Sequence, residues 1–181
     1  SHSERFNRVM SICGADRESG GTHLGCIEKM TELYPKIKDA LLKINFVERY
    51  EKLSARFSAA KTLSDDRLIY LDGEEVMAMI RAAGYSPQFD TREKFYRIKE
   101  EHIGKYSFNI HIILRYGIAE LVWVVKEDGV LLLGAPWSTY SRRLIDVNYR
   151  IKNPVFGTYE DLKEILKIVF EMYEDFKRAL M

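Results

Sequence analysis

The sequence predicts an α+β fold, with N-terminal helices and a long C-terminal helix packed on a four-stranded antiparallel β-meander. Three observations predict it. Apolar residues recur at three- and four-residue spacing from Ile27 to Phe57, which is the period of a buried helix face. Apolar and polar residues then alternate from Phe108 to Leu114 and from Leu121 to Val125, which is the period of a strand. A helical stripe returns in Leu162, Ile165, Leu166, Val169, Phe170, Tyr173 and Phe176.

Each element carries local signals. Residues 14–25, GADRESGGTHLG, read as a loop, so residues 1–26 are expected to be a mobile N-terminal arm with a glycine-rich loop and residues 27–181 a single α+β domain. Ile27, Met30, Leu33, Ile37, Leu41 and Ile44 form the first helical stripe. Pro35 either kinks it or opens a second helix, and Asn45 marks a break. Asp72 with Glu75 has capping-box spacing, and Gly84 and Pro87 stop the helix that follows. Residues 94–101 read as the leading edge strand. Gly117 turns the chain between the next two strands, and Asp128-Gly129 is a strong hairpin signal before the last. With Gly117-Ile118 as a two-residue turn, Arg115 is expected opposite Glu120, Leu114 opposite Leu121 and Ile112 opposite Trp123. Residues 134–151 have little period and read as a loop with a short helical piece. Thr158 and Asp161 then cap the last helix, whose acidic first turn and basic last turn suit its dipole.

Composition narrows the function classes. Of 181 residues, 46% are hydrophobic and 30% charged, a globular mixture long enough to bury a core without disulfides. Net charge is +1 from 28 basic and 27 acidic residues, so no overall field draws in nucleic acid or anionic lipid, and neither is expected as a partner. No apolar run approaches the roughly 18 residues of a spanning helix, and no basic-then-apolar leader is visible. Two cysteines form no disulfide framework. A cytoplasmic location is the expectation.

Few constellations could carry chemistry. Cys13, His23 and Cys26 offer zinc-ligand types with His23-x-x-Cys26 spacing, but a closed site needs four ligands and no fourth stands nearby. The expectation is no metal and no cofactor. Ser58-Ala-Ala-Lys61 matches an S-x-x-K pattern without its companion motifs and reads as helix surface. Glu100, Glu101 and His102 could transfer protons, but a charged strand end is the commoner origin of such a group. No catalytic residue is singled out. Trp137, Tyr140, Arg142, Arg143 and Tyr149 are different, because aromatic residues and arginine are enriched at protein interfaces and their hot spots. They are the candidate partner-binding residues. A secondary set is His111, Arg115 and Glu120, which share a half-apolar sheet face with Ile113, Val122 and Val124.

The order of helices, antiparallel meander and C-terminal helix, the last introduced by residues 153–162 (NPVFGTYEDL), resembles small bacterial toxin-immunity proteins. The resemblance is one of size and layout over residues from about 30 to 181, and it carries over no functional residue. It implies a non-enzymatic domain that binds a protein partner, a toxin, and neutralises it by occluding its active site. Two other readings stand beside it. One is an enzyme with a small-molecule pocket between the sheet and the N-terminal helices, using His111, Arg115 and Glu120. The other is a secretion chaperone or adaptor that takes an extended peptide along a sheet edge.

Overall fold

A computed structural model of the chain describes residues 32–181. Its elements run α1 (Pro35–Lys43), α2 (Phe46–Arg56), a short 3-10 turn (Ser64–Asp66), α3 (Gly73–Ala82), β1 (Pro87–Asp90), β2 (Phe95–Ile98), β3 (Glu101–Ile103), β4 (Tyr106–Arg115), β5 (Ile118–Glu127), β6 (Val130–Leu133), α4 (Trp137–Leu144) and α5 (Tyr159–Leu180). The class is α+β with an antiparallel sheet, as the periodicities predict. The expected N-terminal arm and the Cys13, His23 and Cys26 set lie outside the described residues.

The helix boundaries follow from single residues. Pro35 opens α1, where its missing N–H has no intrahelical partner to lose. Asn45 adopts a left-handed conformation, φ 55°, and so divides the apolar stripe into two helices. The Asp72 carboxylate accepts the Glu74 N–H at 3.0 Å and starts α3. The Thr158 hydroxyl accepts the Asp161 N–H at 3.0 Å and starts α5, which buries one broad face from Leu162 to Phe176.

The sheet holds six strands rather than four. Its order is β1-β2-β4-β5-β6, with β3 also pairing β4. The expected leading strand is in fact two. β2 pairs Tyr96 and Arg97 with Ile112 and His111, and β3 pairs residues 101–103 with 106–108 of the same β4. Where the ladder lapses between them, the Asn109 carboxamide oxygen accepts the Ile98 N–H at 3.3 Å. The true edge is β1, a four-residue strand opening on Pro87, too short and too exposed to show a period.

The central hairpin departs from the expected register. Arg115 lies opposite Ile118, Leu114 opposite Ala119, Ile112 opposite Leu121 and Ile110 opposite Trp123. The turn is therefore Tyr116-Gly117, with φ of 55° and 70°. Positive φ at both central positions is the type I′ geometry that matches strand twist, and it prefers glycine second. The displacement is two residues along β5, so every side chain keeps its expected face and only its partner changes. Arg115 does not face Glu120; its guanidinium donates to the Glu93 carbonyl at 3.2 Å.

All five described helices contribute to one core against one sheet face. Its centre is aromatic: Trp137 stands 5.2–5.3 Å from Phe46, Tyr50 and Trp123 between ring centroids, and Phe176 stacks on Trp123 at 4.6 Å. Each such ring contributes roughly 1.5–3 kcal/mol by leaving water, and the edge-on geometry adds to it. A buried ion network locks the far end of α5. Lys177, only 4% exposed, donates to Glu101 at 2.9 Å and Glu174 at 2.8 Å, and lies over the Tyr173 ring. The other face holds a smaller cluster of Phe95, Ile113 and Val122, with Val124 against it.

Candidate functional site

The segment after α4 returns to the sheet and builds the floor of a cleft. The Ala119 N–H donates to the Pro154 carbonyl at 3.0 Å and the Phe156 N–H to the Gly117 carbonyl at 2.8 Å, so residues 154–156 extend the β5 edge beyond β6. On its other side this segment is tied to the end of α2, where the Val155 N–H meets the Phe57 carbonyl at 2.7 Å. The loop through residues 62–68 packs down on it, and two glycines make that approach fit. A Cβ at Gly117 would stand 2.6 Å from the Arg67 Cβ, and one at Gly157 would stand 2.5 Å from the Asp66 carbonyl oxygen.

The resulting cleft has a volume of about 390 Å³. Arg67 lines it from the packed-down loop, Arg142 from α4, and Arg150 and Lys152 from the returning segment. Ser138 and Asn153 add polar groups, and Ile118, Ile151 and Val155 are among its apolar residues. No carboxylate lines it, and none among the described residues forms an ion pair with these four cations. The contrast is with a second concavity beside the C-terminal end of α5. There Asp175 pairs with both Arg49 and Arg178, so a carboxylate offsets part of the positive charge.

Several cleft groups are held in place. The Arg142 Nε–H donates to the Ser138 carbonyl at 3.3 Å, and the Arg67 Nε–H to the Thr62 carbonyl at 3.5 Å. Both contacts leave the terminal nitrogens of the fork available. The Tyr50 hydroxyl donates to the Asn153 side-chain oxygen at 2.7 Å, which leaves the NH2 end of that amide for the cleft. Charges of both signs reach Tyr50, and Glu120 acts on it more strongly than Arg142. Burial raises the Tyr50 pKa, Glu120 adds to the rise, and Arg142 opposes it. Burial and then the neighbouring Arg142 lower the pKa of Arg143.

No protein-family model, curated protein or solved structure matches the chain. Its site therefore stands on geometry alone.

The candidates named from sequence separate into four groups. Trp137 and Tyr140 are fully buried in the aromatic core, so they support the surface and do not form it. The Tyr140 hydroxyl takes the place of a strand partner: it accepts the Trp123 N–H at 3.1 Å and donates to the Ala135 carbonyl at 2.6 Å. Arg142, Arg143 and Tyr149 do reach the half-buried surface, and the Tyr149 hydroxyl donates to Glu51 on α2. His111, Arg115 and Glu120 lie on the opposite sheet face, none directly across the β4–β5 ladder from another. His111 faces Val122 with its ring 4.5 Å from Phe95, and Glu120 faces Ile113. Glu101 belongs to the Lys177 network, and His102 stands exposed 4.0 Å from Glu100.

Sequence reasoning missed Arg67, Arg150, Lys152 and Asn153. It also missed the two large exposed apolar residues after α4, Ile145 at 56% and Val147 at 63%. Among the described residues no helix is long and apolar enough to cross a membrane, and no three metal-ligating side chains converge.

Proposed function

We propose that this chain is a non-enzymatic binding protein that captures one protein partner through the surface of α4 and the loop after it, and that the partner is a toxin held with its active site occluded. The observation that supports the reading is the pairing of exposed Ile145 and Val147 with Arg142, Arg143 and Tyr149 on one short stretch of chain. Apolar side chains beside arginine and tyrosine are the composition of an interface centre. The stretch rests on a rigid base, since Trp137 and Tyr140 anchor α4 in the core. A preorganised surface loses little conformational entropy on binding.

The test is reconstitution. A partner identified by pull-down from the native host is purified and titrated with the chain, and its toxicity is measured with and without it. Ile145→Ser with Val147→Ser, and separately Arg142→Ala, are expected to weaken the complex by more than about 1 kcal/mol each without lowering the melting temperature. Unchanged affinity in both variants would move the contact surface elsewhere. A partner that the chain binds without inhibiting would end the immunity reading.

A further inference from the structure

We propose that the cleft between the Arg67 loop, α4 and the returning segment is a binding site for a phosphate monoester carrying an apolar group. This goes beyond the protein-binding reading and does not rest on it.

The first support is uncompensated charge. Four cations surround about 390 Å³ with no carboxylate in the lining, in a chain whose net charge is only +1. Gathering like charges around a concavity destabilises the empty fold, and an anion removes that cost. Some cations elsewhere do have carboxylate partners: Lys36 and Lys105 share Glu127, and Arg49 shares Asp175 with Arg178.

The second support is donor geometry. Arg67 and Arg142 are each tethered through Nε to a main-chain carbonyl, so their terminal nitrogens stay available as forked donors. Tyr50 fixes the Asn153 amide with its NH2 end available to the cleft. Ser138 places a hydroxyl in the same lining. A carboxylate has one charge and two oxygens and would satisfy one such fork. A phosphate monoester has nearly two charges and three terminal oxygens, and can engage several of these donors at once. The third support is the apolar surface of Ile118, Ile151 and Val155, which gives the ester's organic group somewhere to leave water.

The ester can be a soluble metabolite or a lipid headgroup, and the experiment separates them. The full chain is titrated with phenyl phosphate, and with benzoate at equal ionic strength as the carboxylate control, by calorimetry and melting temperature. Phenyl phosphate is expected to bind and to raise the melting temperature, and benzoate to do neither. The double variant Arg150→Gln with Lys152→Gln removes two exposed cations that hold no described ion pair. It is expected to fold as stably as the parent or more so, and to bind phenyl phosphate at least about tenfold more weakly, the fold-change of one lost charge-assisted contact. Recruitment to phosphatidic acid vesicles but not phosphatidylcholine vesicles, lost in the double variant, assigns a lipid source. Phenyl phosphate binding without vesicle recruitment assigns a soluble one. Absence of phenyl phosphate binding, equal binding of benzoate, or equal affinity in the double variant overturns the proposal. So does recruitment to vesicles that the double variant keeps.

Discussion

Gly117→Ala tests how the Arg67 wall of the cleft is built. Gly117 has φ +70°, and a non-glycine residue in the left-handed region costs roughly 1–2 kcal/mol. Its added Cβ would also stand 2.6 Å from the Arg67 Cβ and 3.0 Å from the Phe156 carbonyl oxygen. Neither neighbour is the loose end of a side chain. The Phe156 carbonyl is held by the Leu68 N–H at 3.1 Å, and the Arg67 Cβ moves only with its backbone. Forcing such a contact costs roughly a further 1–3 kcal/mol, as overpacking does elsewhere. Gly129 is the matched control: φ is +83°, it also sits in a hairpin turn, and nothing lies within 4 Å of an added Cβ. Gly129→Ala should therefore cost only the conformational part, about 1–2 kcal/mol. Urea unfolding measures both, and in a chain of this size each kcal/mol moves the melting temperature by roughly 2–4 °C. Gly117→Ala should exceed Gly129→Ala by more than about 1 kcal/mol and should weaken phenyl phosphate binding, because Arg67 moves with its loop. Equal costs, within about 0.5 kcal/mol, would refute the close packing of that loop on the hairpin tip.

Three further outcomes follow from the same structure. Trp137→Ala should lower stability by about 3–5 kcal/mol, since it empties the centre of the aromatic core; a loss below about 1 kcal/mol in urea unfolding would place the ring outside it. Tyr140→Phe keeps the ring but leaves the Trp123 N–H without its acceptor, and should cost about 1–3 kcal/mol by the same assay. Lys177→Met should cost about 2–4 kcal/mol, less than for a fully buried pair because Glu101 and Glu174 are partly exposed. The pH dependence should change with it: burial alone raises the Glu174 pKa, but hydrogen bonds from Lys177 and Tyr85 outweigh it and hold the pKa below its ordinary 4.5. A depressed carboxylate pKa contributes stability above the ordinary value that is lost as pH falls through the folded one, so this acid limb should move to higher pH without Lys177.

The elements that the sequence revealed are those whose signal is local. Helix α5 carries its cap, its dipole charges and a sustained 3.6-residue stripe within its own residues, and it appears as expected. The β4–β5 hairpin was legible in its faces and not in its partners, because the pleat repeats every two residues. A displacement of two leaves the buried set of Ile110, Ile112, Leu121 and Trp123 unchanged, so hydrophobic pattern cannot choose between the registers. The deciding contact, Arg67 against Gly117, is remote in sequence. Trp137 and Tyr140 were read as surface from composition, although a signal for their burial was present. Trp137, Tyr140, Ser141 and Leu144 have i, i+3, i+4, i+7 spacing, and the first three are buried.

The cleft could not be read in the same way, since its cations come from three separated stretches that only the tertiary fold brings together. Arg67 reaches it because Gly117 and Gly157 have no Cβ, and Arg142 because Trp137 and Tyr140 fasten α4 to β5. Arg150 and Lys152 reach it because residues 154–156 follow the β5 edge. Each device acts on backbone position and none of them neutralises charge, so the positive field is a product of the fold that nothing described within the cleft cancels. In a near-neutral chain such a local field acts on an anion at short range, within about a Debye length of the cleft. The exposed apolar pair Ile145 and Val147 lies three and five residues beyond Arg142, so ligand in the cleft and partner on the loop would share one arginine. Each would then alter the affinity of the other by the same factor, whichever is added first.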